Sequence, residues 1–118
     1  MTLSKPLSLL TAPLVAAVLA LALAPGVALA QEPSFLITIK DHKFDPAEIV
    51  IPVNTKVKLV VKNADATPEE FDSKDLHREK VIPAGQEGVI FIGPLKAGTY
   101  KFIGEFNPKT AQGRIVVK

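Results

Sequence analysis

Gly98-Thr99-Tyr100-Lys101-Phe102-Ile103-Gly104, followed by Gly113-Arg114-Ile115-Val116-Val117, decides how this chain folds. Tyr100 and Phe102 alternate with Lys101, and Ile115 and Val117 alternate with Arg114 and Val116. A period of two puts apolar side chains on one face of a strand and the others on the opposite face. The same period runs outward through the chain. Phe35, Ile37 and Ile39 alternate with Thr38 and Lys40, and Val57, Leu59 and Val61 with Lys56, Lys58 and Lys62. Glu48–Ile51 and Gly88–Ile92 are shorter, more uniformly apolar runs, expected as strands covered on both faces or lying at a sheet corner. Asp45-Pro46, Pro52-Val53-Asn54, Pro83-Ala84-Gly85, Gly93-Pro94 and Ala97-Gly98 mark turns between the runs. Ser73–Lys80 is the best candidate for a single helical turn, capped by Ser73 and anchored by Leu76. Short strands separated by regular turns predict an all-β sandwich.

The 118 residues divide at Ala30. Residues 1–30 hold one charge, Lys5, an apolar run and the small-x-small end Ala28-Leu29-Ala30. That pattern is expected of a signal peptide cleaved after Ala30 and predicts a periplasmic, secreted product with no membrane span after cleavage. A single domain, residues 31–118, then remains. It carries 13 Lys+Arg and 12 Asp+Glu, so its net charge is +1 and gives no reason to expect nucleic acid. The chain has no Cys. This excludes disulfides, thiolate nucleophiles, iron–sulfur clusters and any copper site that needs a Cys ligand.

The acids are unevenly spread. Asp65, Glu69, Glu70, Asp72, Asp75 and Glu79, half of all the acids, lie between Asp65 and Lys80, together with His77. Clustered carboxylates suit hard cations such as iron, manganese, calcium or magnesium, and Cu(II) if imidazole joins them. The same run also suits a solvated acidic loop. Gly-x-Ser-x-Gly and phosphate-binding glycine loops are absent from the sequence, and Ser34 and Ser73 have no recognisable base partner. Glu69 and Glu70 are adjacent on an expected strand and so face opposite ways, which argues against a paired acid–base role.

The order of motifs resembles a cupredoxin. Ile37-Thr38-Ile39-Lys40-Asp41-His42-Lys43-Phe44-Asp45-Pro46 and Glu48-Ile49-Val50-Ile51-Pro52 are similar to that family's opening strand, Phe-x-Pro turn and second strand. Asn63-Ala64-Asp65 resembles the Asn-x-Asp ahead of its first copper ligand. Gly98–Gly104 and Gly113–Val117 resemble its closing strands. The resemblance implies a Greek-key β-sandwich. It also implies four ligand slots, and here they read Glu69, Gly104, Asn107 and Ala111 where a blue-copper protein has His, Cys, His and Met. A blue-copper centre is therefore not expected.

Thr67-Pro68-Glu69-Glu70-Phe71-Asp72-Ser73, Glu79-Lys80-Val81-Ile82-Pro83 and Phe102-Ile103-Gly104-Glu105-Phe106 resemble the iron-uptake branch: FtrB-like periplasmic proteins and the cupredoxin domain of EfeO-type proteins. That likeness implies an iron or copper ion as cofactor, with Glu69, Glu105, His42, Glu70 and Asp72 as candidate ligands. It implies an inner-membrane iron permease and other periplasmic iron-binding proteins as partners. Binding and delivery are expected rather than self-contained catalysis, a ferroxidase role requiring copper or a partner. A metal-free interaction module, or a subunit of an oxidase complex, is the alternative. Dimerisation through an edge strand is left open by the sequence.

Overall fold

The computed structural model describes Thr2, Ser4 and residues 32–118, so the expected signal peptide and its cleavage point lie outside the described residues. Nine strands are described: β1 (Ser34–Lys40), β2 (Lys43–Asp45), β3 (Glu48–Ile51), β4 (Val57–Asn63), β5 (Glu69–Ser73), β6 (Arg78–Ile82), β7 (Glu87–Ile92), β8 (Gly98–Gly104) and β9 (Gln112–Val117). They form two sheets, in the order β2-β1-β4-β7 and β3-β9-β8-β5-β6. Both sheets are mixed, because β1 runs parallel to β4 and β3 runs parallel to β9. The all-β sandwich is as expected. Among the described residues no helix is long and apolar enough to cross a membrane.

The alternation read from the sequence becomes the core. Ile37 and Ile39 of β1, Val57, Leu59 and Val61 of β4, Phe102 of β8 and Ile115 and Val117 of β9 are buried. Three aromatic rings fill the space between the sheets. The Phe102 ring lies 4.9 Å from both Phe44, edge-on, and Phe71, stacked. Gly113 opposes Phe102 across the β8–β9 ladder, and a Cβ there would run into the Phe102 ring. A larger residue at 113 is therefore excluded by packing.

Two local expectations are corrected. β3 and β7 are not covered on both faces: Ile49, Ile51, Ile90 and Ile92 are buried, whereas Val50, Val89 and Phe91 point outward and are exposed. The Ser73–Lys80 stretch is not a single helical turn. Residues 74–77 form the turn of the β5–β6 hairpin, and Arg78–Ile82 pairs with β5 from Ser73↔Arg78 to Glu69↔Ile82. The expected cap survives inside that turn. Ser73 Oγ accepts from Leu76 N–H at 3.1 Å, donates to Lys101 O at 2.6 Å, and Leu76 is buried.

Candidate functional site

β5 carries Glu69 inward and Glu70 outward, as adjacency on a strand requires. Glu69 is 1% exposed. Its carboxylate accepts three N–H donors: Glu70 N at 3.0 Å and Phe106 N at 2.9 Å on Oε1, and Asn107 Nδ2 at 2.8 Å on Oε2. Two of these donors belong to the loop between β8 and β9. That loop is folded on itself, with Asn107 N–H donating to Gly104 O, Ala111 N–H to Asn107 O, and Gly104 N–H to Ala111 O. Glu69 thus clasps the loop to β5.

Gly104 closes the arrangement. A Cβ placed on it would lie 2.6 Å from Ala111 Cβ, 2.7 Å from Glu69 Cδ and 2.8 Å from Glu69 Oε2. The Glu69 side chain occupies the volume that any residue larger than glycine would need. Glu69, Gly104, Asn107 and Ala111 therefore converge, and they touch one another through a hydrogen bond and van der Waals contact. No buried side-chain nitrogen or oxygen among the described residues lacks a partner.

The approach to Glu69 is built by Asn63, at the end of β4. Asn63 is fully buried; its Nδ2 donates to Thr67 O at 2.8 Å and to Ile82 O at 3.0 Å, and its Oδ1 accepts from Asp65 N at 3.0 Å. One amide side chain so holds the segment from Asn63 to Thr67 just ahead of Glu69. The Asn-x-Asp likeness was the available signal for it.

The other candidate ligands go elsewhere. His42 lies in the two-residue turn between β1 and β2, where Asp41 and His42 both have positive φ, 52° and 57°. Asp65 caps that turn, accepting from Asp41 N at 2.8 Å and His42 N at 3.0 Å, and the His42 ring lies 3.6 Å from its Oδ2. The hydrogen bond from His42 N–H, helped by that from Asp41 and by the charges of His42 and Lys40, lowers the Asp65 pKa against the opposing effect of burial. Glu70 and Asp72 share the outer face of β5, Glu79 stands opposite Asp72, and Glu105 follows β8. Loss of water contact, then repulsion from Glu79, Asp72, Glu105 and Glu69, raises the Glu70 pKa. The five sequence-predicted residues therefore split into a buried carboxylate with N–H partners, an outer acidic patch (Glu70, Asp72, Glu105) and a turn histidine. Among the described residues, no three His, Cys, Asp or Glu side chains are grouped so as to hold a metal ion.

A model of the cupredoxin-like domain matches residues 13–117. This chain belongs to the cupredoxin-like domain family. It is 51% identical over 81 residues to an uncharacterized protein of Rickettsia prowazekii, a match spanning 69% of this chain and 65% of that relative's length. Its fold is shared with solved copper proteins. The Cu(I)-bound metal-binding domain of the Streptococcus pneumoniae Cu(I)-exporting P-type ATPase CopA superposes with a TM-score of 0.65 at 18% identity, over 72% of this chain and 84% of that one. Auracyanin A, a blue copper protein of Chloroflexus aurantiacus, superposes with a TM-score of 0.63 at 16% identity, over 72% of this chain and 98% of that one.

Within that family, a copper ion of the blue type needs a thiolate and imidazoles. The residues at the converging slots of this chain do not fit it. The glycine and alanine side chains offer no donor atom, the Asn107 amide turns its N–H toward Glu69, and the Glu69 carboxylate is already held by three donors.

Proposed function

We propose that this chain is a periplasmic cupredoxin-fold binding module in which the copper position has become a carboxylate–amide clasp, so that it works through its surfaces and not through a blue-copper ion. The supporting observation is that Glu70, Phe106 and Asn107 hold both oxygens of Glu69 against a glycine whose side-chain volume the carboxylate fills. A metal entering there would have to displace three charge-assisted hydrogen bonds and expel the carboxylate from the Gly104 volume, with no thiolate or imidazole to compensate.

A second reading has its own support. Loss of water contact, and after it repulsion within the outer patch of Glu70, Asp72, Glu79 and Glu105, raises the Glu70 pKa, and a hard cation would relieve the repulsion. On this reading the domain hands iron to an inner-membrane permease in a ferrous-iron uptake system, alongside other periplasmic iron-binding proteins. Oxidation of the iron would fall to a partner.

Calorimetric titration of residues 31–118 with Cu(I), Cu(II) and Fe(III) citrate tests both. The clasp reading predicts no stoichiometric binding that depends on Glu69. One-to-one binding that Glu69→Ala abolishes would overturn it. Fe(III) binding that survives Glu69→Ala but is lost in Glu70→Gln/Glu105→Gln would establish the second reading.

A further inference from the structure

The outer face of the four-stranded sheet takes no part in the clasp and carries a pattern of its own. Strand register sets Leu36 of β1, Val60 of β4 and Val89 of β7 side by side in one row. The next row places Lys58 beside Phe91. Leu36, Val89 and Phe91 are 54%, 37% and 45% exposed. Lysines bracket this strip. Lys62 stands on the far side of the apolar row, Lys40 and Lys43 flank the turn beyond it, and Lys56 reaches over the Phe91 ring with Nζ 5.0 Å from the centroid. The nearby acids are Asp45, Glu87 and Glu32, the last paired with Lys56 at 3.3 Å, and, at the turn between Lys40 and Lys43, Asp41 and its cap Asp65.

The opposite side of the sandwich has the reverse sign. Glu48, Glu70, Asp72, Asp75, Glu79 and Glu105 there outnumber Lys74, Lys101 and Arg114, and Arg114 is bound to Glu48 at 2.7 Å. The domain is nearly neutral as a whole but polarised through its thickness. Such a charge distribution orients a protein over an extended charged surface, lysine face down.

We propose that this face docks the chain on an anionic phospholipid surface, with Leu36, Val60, Val89 and Phe91 set among the headgroups and the surrounding lysines on the phosphates. Three observations favour a bilayer over a protein partner. The apolar strip spans three adjacent strands of the four-stranded sheet, so a plane meets it all at once. Lys56 and Lys58 lie beside Phe91, where their alkyl stems can cover apolar surface while their ammonium groups reach outward. A groove able to seat a protruding protein segment, about 540 Å³ and lined by Lys101, Ile103, Gln112 and Arg114, lies on the other sheet. Apolar insertion combined with a lysine rim is the recognised physics of peripheral membrane contact.

Residues 31–118 hold the whole described core and are the sample for the test. Co-sedimentation is measured with vesicles of phosphatidylglycerol and phosphatidylcholine in equal parts, and with phosphatidylcholine alone. Binding is expected to the anionic vesicles at low salt, to be lost by about 0.5 M salt, and to be absent on the neutral vesicles. Leu36→Asp/Phe91→Asp and Lys58→Glu/Lys62→Glu are each expected to weaken binding by about tenfold or more, with melting temperatures within a few degrees of the parent because all four positions lie on the outer face. No binding to anionic vesicles, equal binding to neutral ones, or binding unchanged in both variants would overturn the proposal. So would tighter binding to soluble polyglutamate than to vesicles, which would assign the face to an acidic protein. A dimer in size-exclusion chromatography that Leu36→Asp/Phe91→Asp dissolves would assign it to a second copy. None of these variants touches Glu69 or Glu70, so the outcome is independent of the metal titration.

Discussion

Glu69 and Glu70 are neighbours on β5, carry the same side chain, and meet opposite environments. Glu69 points between the sheets and is met by three N–H donors. Glu70 points outward and is met by Glu79, Asp72 and Glu105. A buried carboxylate is tolerated only when its lone pairs are satisfied, so Glu69 is useful as a fastener. An outward carboxylate among others is destabilised by them and is free to exchange partners. The contrast teaches that carboxylate density alone does not locate a metal site in this fold. What the neighbouring backbone donates to each oxygen decides its role.

The most forceful way to break this contrast is to remove the fastener. Glu69→Ala leaves the Glu70 and Phe106 amides and the Asn107 side chain without their acceptor, and urea denaturation should show a loss of about 3 kcal/mol. Near-equal stability of Glu69→Ala and the parent would mean that water replaces the carboxylate without cost. Next in size is Gly104→Ala, which forces a methyl against Ala111 and Glu69 and should cost about 2 kcal/mol. That cost should shrink by about 1 kcal/mol when measured in the Glu69→Ala background, a coupling that a double-mutant cycle reads directly. Asn107→Ala removes one of the three donors and should cost about 1 kcal/mol.

Two smaller effects sharpen the outer half of the comparison. The Glu70 pKa is raised in the fold, so this group's contribution to stability is present at low pH and is lost as pH rises through its folded value. Glu70→Gln should therefore raise the melting temperature at neutral pH and leave it unchanged at acid pH; a drop at neutral pH would contradict the repulsion. Asp65 has the opposite sign. Its pKa is lowered, so its contribution is present above the ordinary aspartate range and is lost as pH falls through the folded value. Asp65→Asn should lower the melting temperature slightly at neutral pH and flatten the acid limb of the stability profile.

The strands were legible wherever inward and outward residues differ in polarity. Val57–Asn63 and Gly98–Gly104 show this, because lysines mark their outer faces. Reading Glu48–Ile51 and Gly88–Ile92 as covered on both faces failed because Val50, Val89 and Phe91 are apolar yet exposed, and composition does not distinguish such a residue from a buried one. β6 was invisible for the opposite reason. Four of its five residues are exposed and it has no alternation, so its place is set by pairing with β5. At the site, the family slots led to Glu69, Gly104, Asn107 and Ala111, which converge. That Glu69 would be bound by N–H groups 37 and 38 residues further along the chain has no local signature; it depends on how the β8–β9 loop closes.

The conversion of the copper position into a hydrogen-bonded clasp is tested most directly by nuclear magnetic resonance of residues 31–118. The Glu70 and Phe106 amides and the Asn107 side-chain amide would be followed as one equivalent of Cu(I), then Cu(II), is added. The clasp predicts that these resonances are downfield, slow to exchange with solvent, and unchanged by either ion. Saturable shifts with Cu(I), or selective broadening of these three groups with Cu(II), would show metal reaching Glu69 and contradict it.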